Sequence, residues 1–413
     1  MKRRVVITGT GLVTPLGSDV QQVWQRLLDG ESGIHLLSML DTDGFKIRIG
    51  GDIPDFDLAG VVESKEAKRL DRFSQFALLA ANQAVAQSGL DFSQEDATRC
   101  GSILGSGIGG LWEIEAQMER MLFKGTDRVS PFTVPKMMLN AASGNLGIHF
   151  GLRGANHTVA TACASATNAM GDALFNIQRG DTEMILTGGS EAAITRIGLA
   201  GFQNMKALSS RNDDPQAASR PFDAERDGFV LSEGAGISVF EELEHAKARG
   251  AEIIAEVIGF GCSCDAGHIT QPDPQGSGAA QAMRMAIANA GLQPADVDYI
   301  NAHGTSTPLG DKAETNAIRA VFGEHAQQLA ISSTKASLGH SLGASGGIEA
   351  VVAAMSLKHG MVHPTINLTN PDPDCDLDYT PNEAKQRPIK VAMSNSFGFG
   401  GHNACLVLKR FDD

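Results

Sequence analysis

The stretch Thr161-Ala162-Cys163-Ala164-Ser165 stands at the junction of two patterns in the sequence. The residues just before it are extended in character, and those after it place apolar side chains at helical spacing: Ala166, Met170, Ala173, Leu174 and Ile177. The pattern predicts a sharp strand-to-helix turn with Cys163 at or just before the helix N-terminus. There the helix dipole and unpaired backbone N–H groups favour a thiolate, which is a good nucleophile. A cysteine among small residues is also typical of a buried structural position, and this stretch leaves both interpretations open.

The two halves of the chain repeat one order of sequence features. Each half begins with a strand and a Gly-x-Gly segment, and each contains a helix rich in small residues, which begins at Cys163 in one half and after His340 in the other. We interpret this order as a duplication at roughly half the chain length. The predicted halves are residues 1–250, with Cys163, and residues 251–413, with His303, Lys335, His340 and the loop 397–401. Strands that alternate with helices predict an α/β fold with mostly parallel sheets covered on both faces.

Two patterns near the start of the chain carry further predictions. The run Val5–Thr8 predicts a buried strand that enters a glycine turn at Gly9-Thr10-Gly11, and residues 64–89 predict one long helical region. The glycine segment is similar to the start of a dinucleotide-binding motif, but Thr14 occupies the position of the third glycine. An NAD-dependent oxidoreductase is therefore only a weak alternative.

Composition and charge narrow the class of protein. The chain has 413 residues, of which 42% are hydrophobic and 20% charged, as in globular proteins with two or three domains' worth of core. A net charge of −14 argues against nucleic acid and anionic membranes as partners. The basic start of the chain precedes too short an apolar run for a signal peptide, and no apolar run is long enough to span a membrane. The six cysteines have no framework spacing, and Cys262-x-Cys264 lacks a second zinc-binding pair, so we expect reduced thiols and a cytoplasmic location.

Three residues at the ends of predicted strands or the starts of predicted helices form a candidate site: Cys163, His303 and His340. In open α/β sheets this edge is where ligands bind. A zinc site is the alternative, but the three residues are too far apart in sequence for a short-spaced zinc motif. Covalent catalysis fits better, with Cys163 taking an acyl group from a thioester while two imidazoles stabilise an enolate or move a proton.

Three charged residues lie close to the histidines in sequence. Lys335 precedes His340, and Asp311 and Glu314 follow His303. A buried lysine held by a carboxylate would set the protonation of the histidines. A purely structural ion pair is the alternative, and the sequence leaves both open.

Four motifs in a fixed order carry a resemblance to a known family: Thr161-Ala162-Cys163-x-Ser165, Asn301-Ala302-His303-Gly304-Thr305-Ser306-Thr307-Pro308, Lys335 with Gly339-His340, and Asn395-Ser396-Phe397-Gly398-Phe399-Gly400-Gly401. From Val5 to Leu408 the chain resembles the type II beta-ketoacyl-[acyl-carrier-protein] synthases of fatty-acid elongation. The resemblance implies a duplicated five-layer α-β-α-β-α thiolase fold, usually a homodimer, and a decarboxylative Claisen condensation without a redox cofactor. Acyl carrier protein, loaded with acyl or malonyl groups, is the implied partner.

The resemblance also implies a role for each motif residue. Cys163 takes the acyl chain, the backbone N–H groups of Cys163 and Phe399 form the oxyanion hole, and His303 and His340 promote decarboxylation. Phe399 gates the acyl pocket, because a bulky ring between flexible glycines suits a movable door. The implied substrate-binding residues are Thr305 and Thr307, for the pantetheine arm, Ile108, for the acyl pocket, and Thr270.

Two further sets of residues follow from the same resemblance. Acyl carrier proteins are acidic and so is this chain, so docking needs a local basic patch, for which the candidates are Lys65, Lys68, Arg69, Arg128 and Lys206. A structural Na⁺ or K⁺ is implied at Asn301, Glu349, Ser394 and Asn395, with ordinary loop hydrogen bonding as the alternative. The sequence departs from the usual family pattern at Ala166, Leu338 and His402, which favours keeping a specialised paralogue for polyketide or other lipid synthesis as an alternative.

Overall fold

Ten strands hydrogen-bond into one large sheet in the computed structural model, which describes residues 2–412. Two further pairs, β2–β3 and β11–β12, are short hairpin-like additions outside that sheet. The strands are β1 (Val5–Val13), β2 (His35–Leu36), β3 (Ile49–Gly50), β4 (Cys100–Gly105), β5 (Asn156–Val159), β6 (Met184–Glu191), β7 (Gly234–Glu242), β8 (Ala255–Cys264), β9 (Tyr299–Asn301), β10 (Ala330–Ser332), β11 (Met361–Val362), β12 (Lys385–Gln386), β13 (Val391–Gly398) and β14 (His402–Lys409).

The order of the strands is a mirror image about the centre of the large sheet. From one edge to the other the order is β10-β9-β13-β14-β8-β1-β7-β6-β4-β5. The strands of residues 5–242 therefore lie on one side, those of residues 255–409 on the other, and they meet where β1 pairs with β8. Counted outward, β1, β7, β6, β4 and β5 correspond to β8, β14, β13, β9 and β10, which is the order that a duplication produces.

The sheet is mixed, which corrects the prediction of mostly parallel sheets. The outer pairs β4–β5, β4–β6, β9–β10 and β9–β13 are parallel. The inner pairs β1–β7, β1–β8, β6–β7, β8–β14 and β13–β14 are antiparallel. Helices cover both faces, so the antiparallel strands are also buried on both faces and show the continuous apolar runs that are typical of parallel sheets.

The helices form three layers around the strands of the two halves. They are α1 (Val20–Leu28), α2 (Ser64–Ala67), α3 (Arg72–Ser88), α4 (Leu111–Lys124), α5 (Thr133–Met137), α6 (Ala141–Phe150), α7 (Ser165–Arg179), α8 (Arg196–Asn204), α9 (Leu243–Ala248), α10 (Ser277–Asn289), α11 (Pro308–Phe322), α12 (Lys335–Leu338) and α13 (Ser345–His359). The central pair, α7 and α13, contacts strands of both halves, whereas α3 covers β1 and β7 and α10 covers β8 and β14 on the outside. The five-layer α-β-α-β-α arrangement is thus as predicted.

Small residues allow the central and outer helices to approach the strands closely. In α13 every residue from Ser345 to Leu357 is buried. The predicted glycine turn after Val5–Thr8 is absent, because β1 continues through Gly9 and Gly11. A Cβ at either glycine would lie 1.9 Å from a backbone oxygen of α3, so these glycines serve helix packing and not a turn.

The long helical region predicted for residues 64–89 is broken in two. The short helix α2 ends at Ala67, and α3 begins after Asp71, whose side chain accepts the N–H of Phe73 as an N-cap. Asp71 also accepts the N–H of Glu113, which anchors this corner to α4. No helix within residues 2–412 is both long and apolar enough to cross a membrane.

Candidate active site

Cys163 lies on a tight turn between β5 and α7, as the sequence predicted. Ala162 has a left-handed backbone, with φ of 50°, and α7 begins two residues after Cys163 at Ser165. The Ser165 hydroxyl accepts the N–H of Thr161 at 2.9 Å and donates to the carbonyl of Ala162 at 2.6 Å. These two bonds close the turn and hold Cys163 at the end of the central helix, where its side chain is 7% exposed.

The structure brings Cys163, His303 and His340 together. His340 Nε2 is 3.0 Å from Cys163 Sγ, and its other ring nitrogen, Nδ1, is 2.9 Å from the hydroxyl of Ser345. The rings of His303 and His340 are 5.5 Å apart between centroids and nearly perpendicular, at 87°. A sulfur from the first half of the chain and two imidazoles from the second half therefore share one site.

The acidic residues near His303 have structural tasks. Glu314 accepts the backbone N–H groups of His303 at 2.9 Å and Gly304 at 2.8 Å, so it fixes the turn that carries the imidazole. Asp311 accepts the N–H groups of Ser306 and Phe222 and lies 3.4 Å from Arg226. Asp311 thus forms a structural ion pair, but with Arg226 and not with Lys335.

Lys335 is buried and pairs with Glu349 on the central helix α13, and neither Asp311 nor Glu314 holds it. Its positive charge lowers the pKa of both histidines, although burial is the larger cause and takes both pKa values well below the ordinary 6.5. Both imidazoles are therefore neutral at pH 7. A neutral ring has one N–H to donate and one nitrogen that accepts.

Burial also dominates the protonation of the nucleophile. It raises the pKa of the Cys163 thiol to about 11, against the lowering effects of the Lys335 charge and of the backbone N–H groups of Phe399 and Cys163. The backbone N–H groups thus act in the predicted direction and favour the thiolate, but burial of the turn outweighs them.

One cavity of about 530 Å³ connects Cys163, His303, His340 and Phe399 with all four predicted substrate-binding residues, whereas Lys335 does not line it. It is lined by Cys163, His303, His340, Ile108, Thr270, Thr305, Thr307, Phe399, Glu314 and Lys206. Apolar side chains, among them Phe202, Phe229 and Leu342, supply much of the remaining wall. The cavity therefore combines polar groups at the sulfur with an apolar surface that suits an aliphatic chain.

The loop that carries Phe399 is the tip of the β13–β14 hairpin. Gly398 pairs with His402 across the hairpin, and Phe399 lies in the intervening turn. A Cβ on Gly398 would lie 3.0 Å from the backbone nitrogen of Cys163, so this glycine lets the hairpin pack directly on the nucleophile turn. The backbone N–H of Phe399 faces the Cys163 thiol and acts to lower its pKa. The two N–H groups predicted as an oxyanion hole thus lie at the sulfur.

Glu191, at the end of β6, is a site residue that the sequence analysis missed. Its carboxylate is fully buried and accepts the N–H groups of Gly107, Ile108, Gly109 and Gly343 and the hydroxyl of Ser106. The loop that contains Gly107, Ile108 and Gly109 forms a wall of the cavity. Gly343 lies in the turn that follows His340. A lone acidic residue after Gly188-Gly189 was the only indication in the sequence.

The predicted cation site coincides with a group of unsatisfied oxygens. Each of the four predicted residues has a buried oxygen without a hydrogen-bond partner among the described residues: Asn301 Oδ1, Glu349 Oε2, Ser394 Oγ and Asn395 Oδ1. Asn301 and Ser394 are register neighbours on β9 and β13. Amide, hydroxyl and carboxylate oxygens are the ligands that hard cations prefer. With only one carboxylate, the set fits a monovalent ion, and no group of three His, Cys, Asp or Glu suited to a metal occurs in the described chain.

The predicted docking residues Lys65, Lys68, Arg69, Arg128 and Lys206 are all exposed. The guanidinium of Arg69 lies 5.1 Å from the ring centre of Phe132, which places α2 beside the segment that follows Arg128. Arg128 itself shares a surface depression with Arg120 and Lys124. Only Lys206 of the five lines the cavity.

Comparisons with known proteins cover the whole chain. Residues 2–246 match the family model "Beta-ketoacyl synthase, N-terminal domain", and residues 254–369 match "Beta-ketoacyl synthase, C-terminal domain". The chain is 49% identical to 3-oxoacyl-[acyl-carrier-protein] synthase 2 of Staphylococcus aureus (strain COL) over 99% of both chains.

Solved structures agree with the match to the family models. A beta-ketoacyl synthase from Burkholderia phymatum STM815 superposes with a TM-score of 0.92 at 37% identity over the full length of both chains. The ketosynthase complex AntDE:AntF superposes with a TM-score of 0.91 at 35% identity, again over both full chains. That structure is described as a type II polyketide acyl-carrier protein in complex with its ketosynthase bound to the hexaketide.

Proposed function

Because the chain belongs to the beta-ketoacyl synthase family, we propose that it catalyses the reaction named for its Staphylococcus relative, the synthesis of 3-oxoacyl-[acyl-carrier-protein]. It is an acyltransferase of fatty-acid elongation. The reaction joins an acyl group held on the enzyme to malonyl-acyl carrier protein by a decarboxylative Claisen condensation.

In the first half-reaction Cys163 takes the acyl chain. Its sulfur attacks the thioester of acyl carrier protein, the carrier leaves as a thiol with the proton that Cys163 gives up, and the acyl group remains on Sγ. The N–H groups of Cys163 and Phe399 stabilise the oxyanion of the tetrahedral intermediate, because both lie at the sulfur. His340 Nε2–H, 3.0 Å from Sγ, stabilises the thiolate as it forms.

In the second half-reaction the two imidazoles act on malonyl-acyl carrier protein. Loss of carbon dioxide leaves an enolate on the malonyl thioester, and N–H groups of His303 and His340 stabilise its oxygen. The enolate carbon then attacks the acyl-Cys163 thioester, which forms the new carbon–carbon bond and returns the sulfur. Burial, together with the Lys335 charge, keeps both rings neutral, so each ring has one N–H that can donate to the enolate oxygen.

The observation that carries this proposal is the 3.0 Å contact between His340 Nε2 and Cys163 Sγ inside a cavity that His303 also lines. It is tested by mass spectrometry of the intact protein after incubation with acyl carrier proteins of several chain lengths. The wild type retains acyl masses, and the Cys163→Ala variant retains none while keeping its fold. Cys375→Ala removes another buried cysteine and serves as the matched control. Wild-type-like condensation by Cys163→Ala overturns the mechanism.

We propose the same partners and ion that the resemblance implies. Acyl carrier protein docks on the basic residues around Arg69, Arg128 and Lys206, and its prosthetic arm enters beside Thr270, Thr305 and Thr307, with Phe399 as the gate and Ile108 in the acyl pocket. Charge reversal at Arg69 and Lys206 weakens the binding of acyl carrier protein and leaves the unfolding temperature of the protein unchanged.

The proposed monovalent cation is bound by Asn301, Glu349, Ser394 and Asn395. The unfolding temperature is therefore higher in K⁺ or Na⁺ than in the salt of a bulky organic cation.

We also propose a homodimer and a cytoplasmic location. The edge strand β5 has a hydrogen-bonded neighbour only on the β4 side within the described chain, and Asn156 and His157 on it are exposed. On α4, Leu122 and Phe123 are 70% and 79% exposed, which is unusual for large apolar residues in a monomer. Light scattering that gives a monomer at micromolar concentration contradicts the homodimer.

The specialised paralogue remains the alternative for substrate choice. Its support is structural likeness to the type II polyketide ketosynthase complex at 35% identity, lower than the 49% identity to the 3-oxoacyl-[acyl-carrier-protein] synthase 2 of Staphylococcus aureus. The departures at Ala166, Leu338 and His402 leave the catalytic set in place, and Ala166 fits because Gly105 and Gly189 face it. The acyl-length series in the mass experiment separates the two, since retention of ordinary saturated chains favours fatty-acid elongation.

A further inference from the structure

The hydroxyl of Ser345 contacts the ring nitrogen of His340 that faces away from Cys163. The Nδ1–Oγ distance is 2.9 Å, and the Ser341 hydroxyl lies 3.3 Å from that of Ser345. Both serines are buried, at 3% and 4% exposure, so solvent does not compete for these bonds. Each ring nitrogen of His340 therefore has its own partner: sulfur on one side and a chain of two hydroxyls on the other.

The direction of the Ser345 bond follows from the chemistry that His340 performs. The ring is neutral, since burial and the Lys335 charge lower its pKa, and it carries one proton. Both half-reactions of the proposed function use Nε2 as an N–H donor, first to the thiolate and then to the enolate oxygen. Nδ1 must then be the accepting nitrogen, and its partner must be a donor. A serine hydroxyl is such a donor.

We infer that Ser345 is a positioning residue for His340: its hydroxyl donates to Nδ1 and so keeps the ring proton on Nε2. Ser341 donates in turn to the Ser345 oxygen, and the two bonds polarise each other. The inference rests on the proposed function. His303 is a useful contrast, because its buried Nδ1 has no hydrogen-bond partner within residues 2–412. Of the two histidines, His340 is the one whose tautomer a side chain fixes.

Kinetics of four variants test the inference. Ser345→Ala lowers kcat for condensation by roughly tenfold, the effect of losing one orienting hydrogen bond, and leaves KM for malonyl-acyl carrier protein unchanged. Ser345→Thr keeps a hydroxyl and restores most of kcat. Ser341→Ala lowers kcat only about twofold, because it removes the outer bond alone. Ser337→Ala is the matched control, a buried serine on α12 whose hydroxyl has no partner among the described residues, and it keeps wild-type kcat.

Nitrogen NMR of histidine-labelled protein gives an independent measurement. The chain has 11 histidines, and a His340→Gln variant identifies the His340 signals by their disappearance. The wild type shows a protonated Nε2 and an unprotonated Nδ1, and Ser345→Ala shows a mixture of tautomers. A protonated Nδ1 in the wild type overturns the inference even if Ser345→Ala does not fold.

The outcomes separate this inference from the proposed function. If the wild type condenses acyl groups and Ser345→Ala does so at the wild-type kcat, Ser345 has no positioning role and the proposed function stands. If the wild type neither retains acyl groups on Cys163 nor condenses them, the proposed function fails first, and the inference fails with it.

Discussion

The turns that lead into the two central helices have the same backbone but different chemistry. In each, a non-glycine residue with a left-handed backbone stands three positions before the first helical residue: Ala162, with φ of 50°, before α7, and Leu342, with φ of 48°, before α13. Each helix begins with a serine, Ser165 or Ser345, and neither N-cap residue is capped by a side chain. The first turn presents Cys163, and the second has Gly343 at that position.

The two serines use their hydroxyls differently. The Ser165 hydroxyl forms hydrogen bonds only within its own turn, to the backbone of Thr161 and Ala162. Ser345 bonds the ring of His340. Under the proposed function, the difference teaches that a duplicated scaffold can divide one reaction: the first copy holds the nucleophile, and the second orients the imidazole that serves it.

The largest expected effect comes from adding one carbon to the second turn. A Cβ at Gly343 would lie 2.3 Å from the backbone nitrogen of Gly107 and 2.6 Å from Glu191 Oε2. We expect Gly343→Ala to lower the free energy of unfolding by about 3 kcal/mol and to abolish condensation, because backbone must move. Urea unfolding and condensation assays measure both. A Gly343→Ala variant with the wild-type unfolding free energy and wild-type condensation contradicts the close contact between the halves.

The second prediction concerns the nucleophile turn and pH. Because burial raises the Cys163 pKa from 9.0 to about 11, the thiol form dominates below pH 11 and the thiolate grows as pH rises through that value. At a given pH the thiolate is about 100-fold scarcer than for an unperturbed thiol. Iodoacetamide labelling followed by peptide mass mapping measures this, with the exposed Cys264 as internal reference. A labelling rate at Cys163 that levels off near pH 7 contradicts it.

The third prediction compares the two left-handed residues. Leu342→Gly relieves backbone strain but loses a buried side chain, so we expect a net loss of about 2 kcal/mol in unfolding free energy. Ala162→Gly, the matched variant, relieves the same strain and loses only a methyl group, so its unfolding free energy changes by less than about 1 kcal/mol. If thermal or urea unfolding shows that the two variants lose equal unfolding free energy, the two left-handed residues do not carry the same backbone strain.

The smallest effect is expected at the serine of the first turn. Ser165→Ala removes the two bonds that close the turn, and we expect about 1 kcal/mol less unfolding free energy. In Ser165→Ala the nitrogen NMR signals of His340 stay those of the wild-type tautomer, whereas in Ser345→Ala they change. A changed His340 signal in Ser165→Ala means that the two hydroxyls do not have separate tasks.

Much of the fold was predictable because periodicity reports burial. The strand β1 and the helix α7 lie where the patterns at Val5–Thr8 and after Cys163 predicted a strand and a helix. Strand direction was not predictable, since β7 and β14 are buried on both faces and carry the same apolar pattern as parallel strands. The role of Gly9 and Gly11 was missed for a similar reason, because a glycine that admits a neighbouring helix has the same sequence as one that turns the chain.

The candidate site was predictable where motif residues carry the chemistry. Cys163, His303, His340 and Phe399 came from motifs, and the structure places them around one cavity. The protonation of Cys163 was not predictable, because the depth of the turn in the fold is a tertiary property. Ser345 was missed because the turn between it and His340 decides whether its hydroxyl reaches the ring, and Glu191 was missed because one of its partners, Gly343, lies in the other half of the chain.

The buried carboxylate of Glu191 restricts how this enzyme can change its substrate range during evolution. It ties the loop of Ile108, which lines the proposed acyl pocket, to the segment just beyond His340, so a backbone shift made to admit a longer chain would be transmitted to the imidazole. New chain lengths are therefore reached more easily by exchanging a side chain such as Ile108 than by inserting or deleting residues in its loop. Natural variants of this pocket should differ in side-chain volume at constant loop length.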